Sequence, residues 1–285
     1  MNVPSLERHE FDLLRGLIET WCGISLEDAK MYLVETRLRE VVVETGCASF
    51  GEFYWKARGA GASLRDRIID DMTTNETSWF RDAPFWETMR QVVVPDSIER
   101  ARQDGRMRVS VWSAASSTGQ EPYTMALLLK EMERTGELCG LRADSFDLLA
   151  TDISRNALSI AEAGRYDPIS MRRGLPLNLR ERYFERDGRI SVLSDELRKL
   201  VRFKRMNLLD SFGSLGLFDI VLLRNVLIYF AAAWKRSILA KSVHVMRPES
   251  TLAAGATETL ELYSDDFEVV RHGRSTYYRL KEALR

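Results

Sequence analysis

RVSVWSAASSTGQEPYTMA, residues 108–126, decides how the rest of the chain is read. It opens on a buried-strand pattern, VSVW. It then passes through a run of small residues, Ser113-Ala114-Ala115-Ser116-Ser117-Thr118-Gly119, and enters a helix near Gln120–Pro122. A strand that feeds a helix through small side chains lets backbone N–H groups approach a bound cofactor at the edge of an α/β sheet. The loop has neither the G-x-G-x-x-G of a dinucleotide site nor the G-K-[ST] of a phosphate loop. The pattern predicts a nucleotide-type pocket that is neither an NAD site nor an ATP site.

Downstream, the strand-like runs FDLLAT (146–151), LVRFKRM (200–206), FDIVLL (218–223) and TLAAG (251–255) alternate with helical patterns at 120–135, 154–163 and 231–246. This alternation predicts a parallel, doubly wound α/β sheet. FEVV (267–270) and STYYRL (275–280), with Gly273 between them, read as a terminal antiparallel pair. Residues 164–199 are too long for a simple connection, contain GRISVL (188–193), and are expected to form a small inserted β-subdomain.

Upstream the periodicity is helical only. Leu14, Leu17, Ile18 and Trp21 share a face; Met31, Val34, Leu38, Val41 and Val42 make a second stripe, and Leu64, Ile68 and Met72 a third. The expected organisation is an N-terminal all-α domain over 1–78, linker helices over 79–106 and the sheet domain over 107–285. The linker helix is expected to begin at Asp82–Pro84 and end at Pro95.

Composition narrows the function. The 285 residues are 45% hydrophobic and 29% charged with a formal net charge of −1, an ordinary globular balance with no global pull toward nucleic acid or anionic membrane. No apolar run reaches membrane-span length and the N-terminus lacks a signal-peptide pattern, so a cytoplasmic protein without direct membrane insertion is expected. Cys22, Cys47 and Cys139 are scattered, and His9, His244 and His272 have no ligand spacing. The chemistry is therefore expected to be metal-free.

The candidate site residues cluster after the strands. Glu121 is either a first-turn acid that suits the helix dipole or a carboxylate facing an amino group of a cofactor. Met125, Leu128, Leu129 and Met132 repeat as core. Asp152 directly follows the second strand, where an acid accepts hydrogen bonds from ribose hydroxyls; the competing role is an N-cap, which Ser154 can equally supply. Asn207 and Leu208 follow the third strand, where an amide matches the donor and acceptor of an adenine edge. RNVLIYF (224–230) follows the fourth, with Asn225 and Tyr229 as candidate pocket residues. MTTNETSWFR (72–81) precedes the sheet; Thr73, Thr74, Asn75 and Thr77 read as a cap-and-turn cluster, and Arg81 as a surface charge or a carboxylate partner.

MTTNETSWFR, SAASSTGQEPYTMA and RNVLIYF, in this order, resemble the motifs of the chemotaxis-receptor glutamate methyltransferases, the CheR family. The resemblance covers nearly the whole chain. It implies an S-adenosylmethionine-dependent (Rossmann-like) methyltransferase sheet behind an all-α domain. It also implies an enzyme that methylates glutamates of methyl-accepting chemotaxis receptors, giving glutamyl methyl esters and S-adenosylhomocysteine. By position, Asn75, Thr77, Arg81, Glu121, Asp152, Asn207, Leu208, Arg224 and Asn225 match the family's cofactor-binding places. Glu121 would meet the methionine amino group, Asp152 the ribose, and Asn207 with Leu208 the adenine region. Arg81 and Tyr229 match residues near the transferable methyl group. The implied partner is the cytoplasmic coiled coil of a receptor, met transiently at receptor arrays.

The chain departs from the family pattern at several points. Trp79 stands for the usual Phe and Gln120 for Glu, and GATE (255–258) replaces a Gly-His-Ser-Glu-like segment. In the helix expected over 26–45, Lys30 and Arg37 share an edge, while EVVVE (40–44) replaces an arginine-rich continuation. Arg37 is expected either to pair with Glu40 at i, i+3 or to dock on the receptor. YFERDGRISVL (183–193) is shorter than the glycine-rich loop of members that grip a receptor's C-terminal pentapeptide, so no such tether is expected. Two other readings are a methyltransferase with another carboxylate acceptor and a silent S-adenosylmethionine or S-adenosylhomocysteine sensor. The single Gly119 of the first loop argues against a dehydrogenase.

Overall fold

The computed structural model describes residues 5–281; the outer ends of the expected segments, 1–4 and 282–285, lie outside the described residues. Four helices come first: α1 (Arg8–Cys22), α2 (Met31–Glu44), α3 (Phe50–Arg58) and α4 (Ala62–Met72). Their apolar stripes close on one another, with Phe11, Leu14, Val34, Leu38, Phe50 and Phe53 fully buried in one core. α5 (Ala83–Thr88) and α6 (Val94–Gln103) follow.

Pro95 does not end this helix, contrary to the sequence expectation. Met89–Val93 forms a π-helical turn in which the Val94 N–H reaches back to the Met89 carbonyl. The widened turn immediately precedes the proline. Pro95 thus falls in the first turn of α6, where its missing N–H and fixed φ cost nothing.

The rest of the chain alternates. It runs β1 (Val109–Ala114), α7 (Gln120–Arg134), β2 (Phe146–Asp152), α8 (Arg155–Ala163), β3 (Arg165–Tyr166), α9 (Pro168–Arg172), α10 (Leu177–Tyr183), β4 (Phe184–Asp187) and β5 (Ile190–Leu193). It continues through α11 (Asp195–Arg198), β6 (Val201–Arg205), β7 (Phe218–Leu222), α12 (Ala232–Val243), β8 (Met246–Ala253), β9 (Phe267–His272) and β10 (Ser275–Leu280). The main sheet has the order β6-β2-β1-β7-β8-β10-β9, and β10 is the strand that runs opposite to the rest, pairing antiparallel with both β8 and β9. A three-stranded antiparallel sheet, β3-β5-β4, occupies the inserted segment.

The apolar runs are explained by two-sided burial. Val109 and Val111 pack into the core under α5–α7, and the alternate residues Trp112 and Ala114 into the core under α12. One boundary differs from expectation: β8 begins at Met246, not at Thr251. Its polar start, with Pro248, pairs with β7 across an irregular register between Phe218 and Ile220, so the alternation expected of a strand is broken there.

Two joints seat the helical front on the sheet's carboxyl edge. The side chain of Asn207 donates to the Trp21 carbonyl at 2.7 Å. The Ser25 N–H donates to the Tyr229 carbonyl at 2.8 Å, beside a bridge between Ile24 and Phe230.

Candidate active site

A cleft opens between the carboxyl ends of β1, β2, β6 and β7 and the segment that leaves α1. All ten sequence-predicted residues line it: Asn75, Thr77, Arg81, Glu121, Asp152, Asn207, Leu208, Arg224, Asn225 and Tyr229. Those in the sheet domain come together because they lie at or just past strand ends, and parallel strands end on one rim.

The first wall is the loop after β1. Ala115 and Ser117 adopt left-handed backbone (φ 54 and 52), which turns the chain sharply into α7. Ser117 N–H donates to Asp152 Oδ2 at 2.8 Å, and Ser154 N–H to Asp152 Oδ1 at 2.9 Å. The N-cap of α8 is Ser154, whose hydroxyl accepts the Ala157 N–H. Asp152 is thereby left on the cleft wall. A carboxylate has about four acceptor sites, so two remain for hydroxyl donors. Burial pushes the Asp152 carboxyl above its ordinary range, and the backbone donors, Ser154 first, pull against that shift.

Glu121 sits in the first turn of α7 with both oxygens engaged. Ser113 Oγ donates to Oε1 at 2.8 Å and Arg224 Nη1 to Oε2 at 3.0 Å. Burial raises its pKa and the Arg224 charge opposes. Arg224 is itself buried. It also donates to Asp82 Oδ2 at 2.6 Å and to the Arg81 carbonyl at 3.1 Å, and its guanidinium lies 4.2 Å from the centre of the Phe85 ring. Arg224 therefore ties the linker, α7 and the end of β7 into one piece.

Asn207 lines the cleft and carries a structural bond that the sequence does not predict. Its amide donates to the Trp21 carbonyl, and its oxygen accepts the Leu209 N–H at 3.0 Å. The side chain thus also holds the helical domain in place, and its second N–H and second oxygen lone pair are left over at the cleft it lines. The apolar Leu208, Met206, Ile153 and Ile24 line that part of the cleft.

Arg37 departs from expectation. In place of the expected pair with Glu40, it donates to the Met72 carbonyl at 2.7 Å and to Thr74 Oγ1 at 3.0 Å. It thereby braces the start of the 72–81 segment, which carries Asn75, Thr77 and Arg81 to the cleft. Arg39 is paired with Glu35.

Sequence reading missed the roof. Cys22, Ile24, Leu26, Lys30 and Leu33 of the helical domain also line the cleft. Only Gly23, which ends α1, signals that the chain leaves its helical face there.

The cleft fits an amino-acid nucleoside. The hydroxyls of Ser116 and Ser117 line it, buried and without a partner among the described residues. Buried polar atoms of this kind call for a ligand that hydrogen-bonds them. The carboxylates of Glu121 and Asp152 line the same cleft, and Ile24, Ile153, Met206 and Leu208 give one end of it an apolar lining, a set of groups that matches the ammonium, hydroxyls and base of such a ligand.

Fold and site together define a class, the S-adenosylmethionine-binding methyltransferases. Residues 75–276 match the family model "CheR methyltransferase, SAM binding domain", and residues 9–73 match "CheR methyltransferase, all-alpha domain". The chain is 40% identical over 274 residues to chemotaxis protein methyltransferase 1 of Pseudomonas aeruginosa, covering 95% of this chain and 98% of that protein. It is 37% identical over 284 residues to the chemotaxis protein methyltransferase of Vibrio parahaemolyticus, covering 99% and 100%. The chain belongs to the CheR methyltransferase family.

Proposed function

We propose that this chain methylates glutamate side chains on the cytoplasmic coiled coil of chemotaxis receptors, giving γ-glutamyl methyl esters and S-adenosylhomocysteine. The observation that carries this reading is the placing of Arg81 on the same cleft whose wall holds Glu121 and Asp152. When bound, S-adenosylmethionine supplies an electrophilic methyl group on a sulfonium sulfur.

The chain's own residues bind and align. Glu121, held by Ser113 and Arg224, faces the amino group; Asp152 accepts from ribose hydroxyls; Leu208, Met206 and Ile24 enclose the base. A glutamate has an ordinary pKa of about 4.3, so the acceptor arrives ionised and needs no general base. Arg81 orients the incoming carboxylate. Too tight a grip would quench the nucleophile, so its role is positioning rather than activation. Tyr229 shapes the methyl channel. The helical roof strips water from the carboxylate, and alignment of the reacting groups supplies several kcal/mol.

The partner docks without a C-terminal pentapeptide. The strands β4 and β5 turn tightly, with Asp187 already paired to Ile190, which leaves a short connection rather than a long gripping loop. The protein accordingly works in the cytoplasm, transiently at receptor arrays.

Radiolabelled S-adenosylmethionine incubated with receptor-bearing membranes tests the reading. A base-labile label on receptor glutamates is expected, and is lost with Asp152→Ala. Label on a small acid but not on receptors, or tight saturable binding of an isolated receptor pentapeptide, would overturn the corresponding part.

A further inference from the structure

Glu258 closes the GATE turn after β8 and lies outside the residues that line the catalytic cleft. Its Oε2 accepts the Asn225 N–H at 2.6 Å and the Gly255 N–H at 2.7 Å, while Oε1 accepts the Ile228 N–H at 3.2 Å. One carboxylate thus grips, at two points, the loop that carries Asn225, Val226 and Tyr229 onto the cleft wall. Hydrogen bonds from N–H groups to an ionised oxygen are the strong kind.

The loop needs such a grip. Asn225 has a φ of 58, a left-handed conformation that side-chain-bearing residues adopt at a cost. Gly255 tightens the same joint. A Cβ there would stand 2.3 Å from Asn225 Nδ2 and 2.8 Å from Glu258 Oε2, so the backbone must approach this closely for the carboxylate to reach. On its far side the loop is bound to the helical roof through Ser25 and Tyr229 and through the Ile24–Phe230 bridge. The loop is held between these two supports.

We infer that Glu258 is a positioning residue for methyl transfer. It fixes the Asn225–Tyr229 loop in its strained form without touching cofactor or acceptor. This inference rests on the methyl-transfer reading for its kinetic arm only.

The test compares wild type with Glu258→Ala, Glu258→Gln and Gly255→Ala in the full chain. A displaced catalytic loop lowers kcat by about 100-fold, the size of effect a small misplacement produces. S-adenosylhomocysteine affinity by calorimetry falls less than kcat, because Glu121 and Asp152 are untouched and Asn225 alone of the cofactor-binding candidates is displaced. Glu258→Gln, which keeps one acceptor oxygen, recovers part of kcat. Gly255→Ala, acting from the other side of the joint, reproduces the loss.

Amide exchange supplies an arm independent of activity. The Asn225 and Ile228 N–H groups lose protection in Glu258→Ala, while those of β1 and β7 keep theirs. Unchanged kcat in Glu258→Ala would overturn the inference. So would unchanged protection of both amides, or a loss of protection spread equally through β1. If the wild-type protein transfers no methyl group to receptors, the proposed function fails, and the exchange arm alone decides the role of Glu258.

Discussion

Arg224 and Glu121, 103 residues apart in the chain, meet at 3.0 Å inside the catalytic edge. The arginine is nearly sealed from solvent, with 1% of its side chain exposed, and its second partner is Asp82. The Asp82–Arg224–Glu121 chain centres on the buried arginine, with Asp82 at its half-buried end. It joins the linker, the first helix of the sheet domain and the end of β7, and it sets the charge that a cationic amino group meets.

Arg224→Ala is expected to leave the Glu121 carboxylate buried and unpaired. Losing one member of such a pair costs about 3–5 kcal/mol. Urea denaturation should show that loss, and calorimetry should show weaker binding of S-adenosylhomocysteine.

The two ends of α7 titrate in opposite senses. Burial raises Glu121 above its ordinary value of 4.5, with Arg224 opposing. The folded protein therefore holds this proton better than the unfolded chain. The stability from this group is fully present below pH 4.5 and is lost as pH rises through the raised value. Binding of an ammonium-bearing ligand needs the carboxylate, so affinity falls as pH descends through the same window; Glu121→Gln should flatten both trends. At Glu131, burial pulls the pKa up, but hydrogen bonds from Arg134, Arg182 and Tyr183 outweigh it and hold the group at about 2. Its stabilisation is present above pH 4.5 and is lost as pH falls toward 2. Arg182 and Tyr183 belong to the inserted segment, so amide exchange of β4 and β5 should quicken in that acid range.

Arg81→Ala should abolish most methyl transfer, by about 100-fold in kcat/KM, the scale of losing a positioned charge at a reacting group. Near wild-type turnover in steady-state assays would remove Arg81 from the mechanism.

Asn207→Ala removes the 2.7 Å bond to the Trp21 carbonyl and so loosens the roof. A lost buried hydrogen bond costs about 1–2 kcal/mol. Stopped-flow measurement should find S-adenosylhomocysteine leaving about tenfold faster, on the relation of about 1.4 kcal/mol to tenfold.

Trp79 is fully buried, with its ring edge-on to Tyr166 and Phe184 of the inserted sheet, and its indole N–H has no partner among the described residues. Trp79→Phe should therefore leave the melting temperature unchanged or raise it, whereas Trp79→Ala should cost about 3–5 kcal/mol. Gly174, at φ 90, packs against the same residue. A Cβ there would stand 2.1 Å from the Trp79 carbonyl oxygen, so Gly174→Ala should lower the melting temperature sharply.

Local pattern was enough for the sheet, because the central strands are runs buried on both faces and the helices repeat their apolar residues on one side. It was also enough to assemble the rim. Glu121, Asp152, Asn207, Arg224 and Asn225 each lie at or beyond the end of a strand, and parallel strands deliver such residues to one edge. The misses share a cause. Pro95 reads as a helix end until a π turn ahead of it, packed within the linker core, widens the helix. Arg37 reads as a surface charge until α4 brings the Met72 carbonyl within reach.

What the sequence determined by itself is most of the elements, α3 and the short helices of the inserted segment apart, and the chemical types at their ends, since both are set by periodicity and by position after a strand. Only the tertiary structure decided the partners. Asn207 gained a fastening bond to Trp21, Glu258 became the grip on the Asn225–Tyr229 loop, and Cys22 to Leu33 became a roof. A hydrogen bond is chosen by distance and direction in space, and residues 30 to 186 apart in the chain carry no local pattern that sets either.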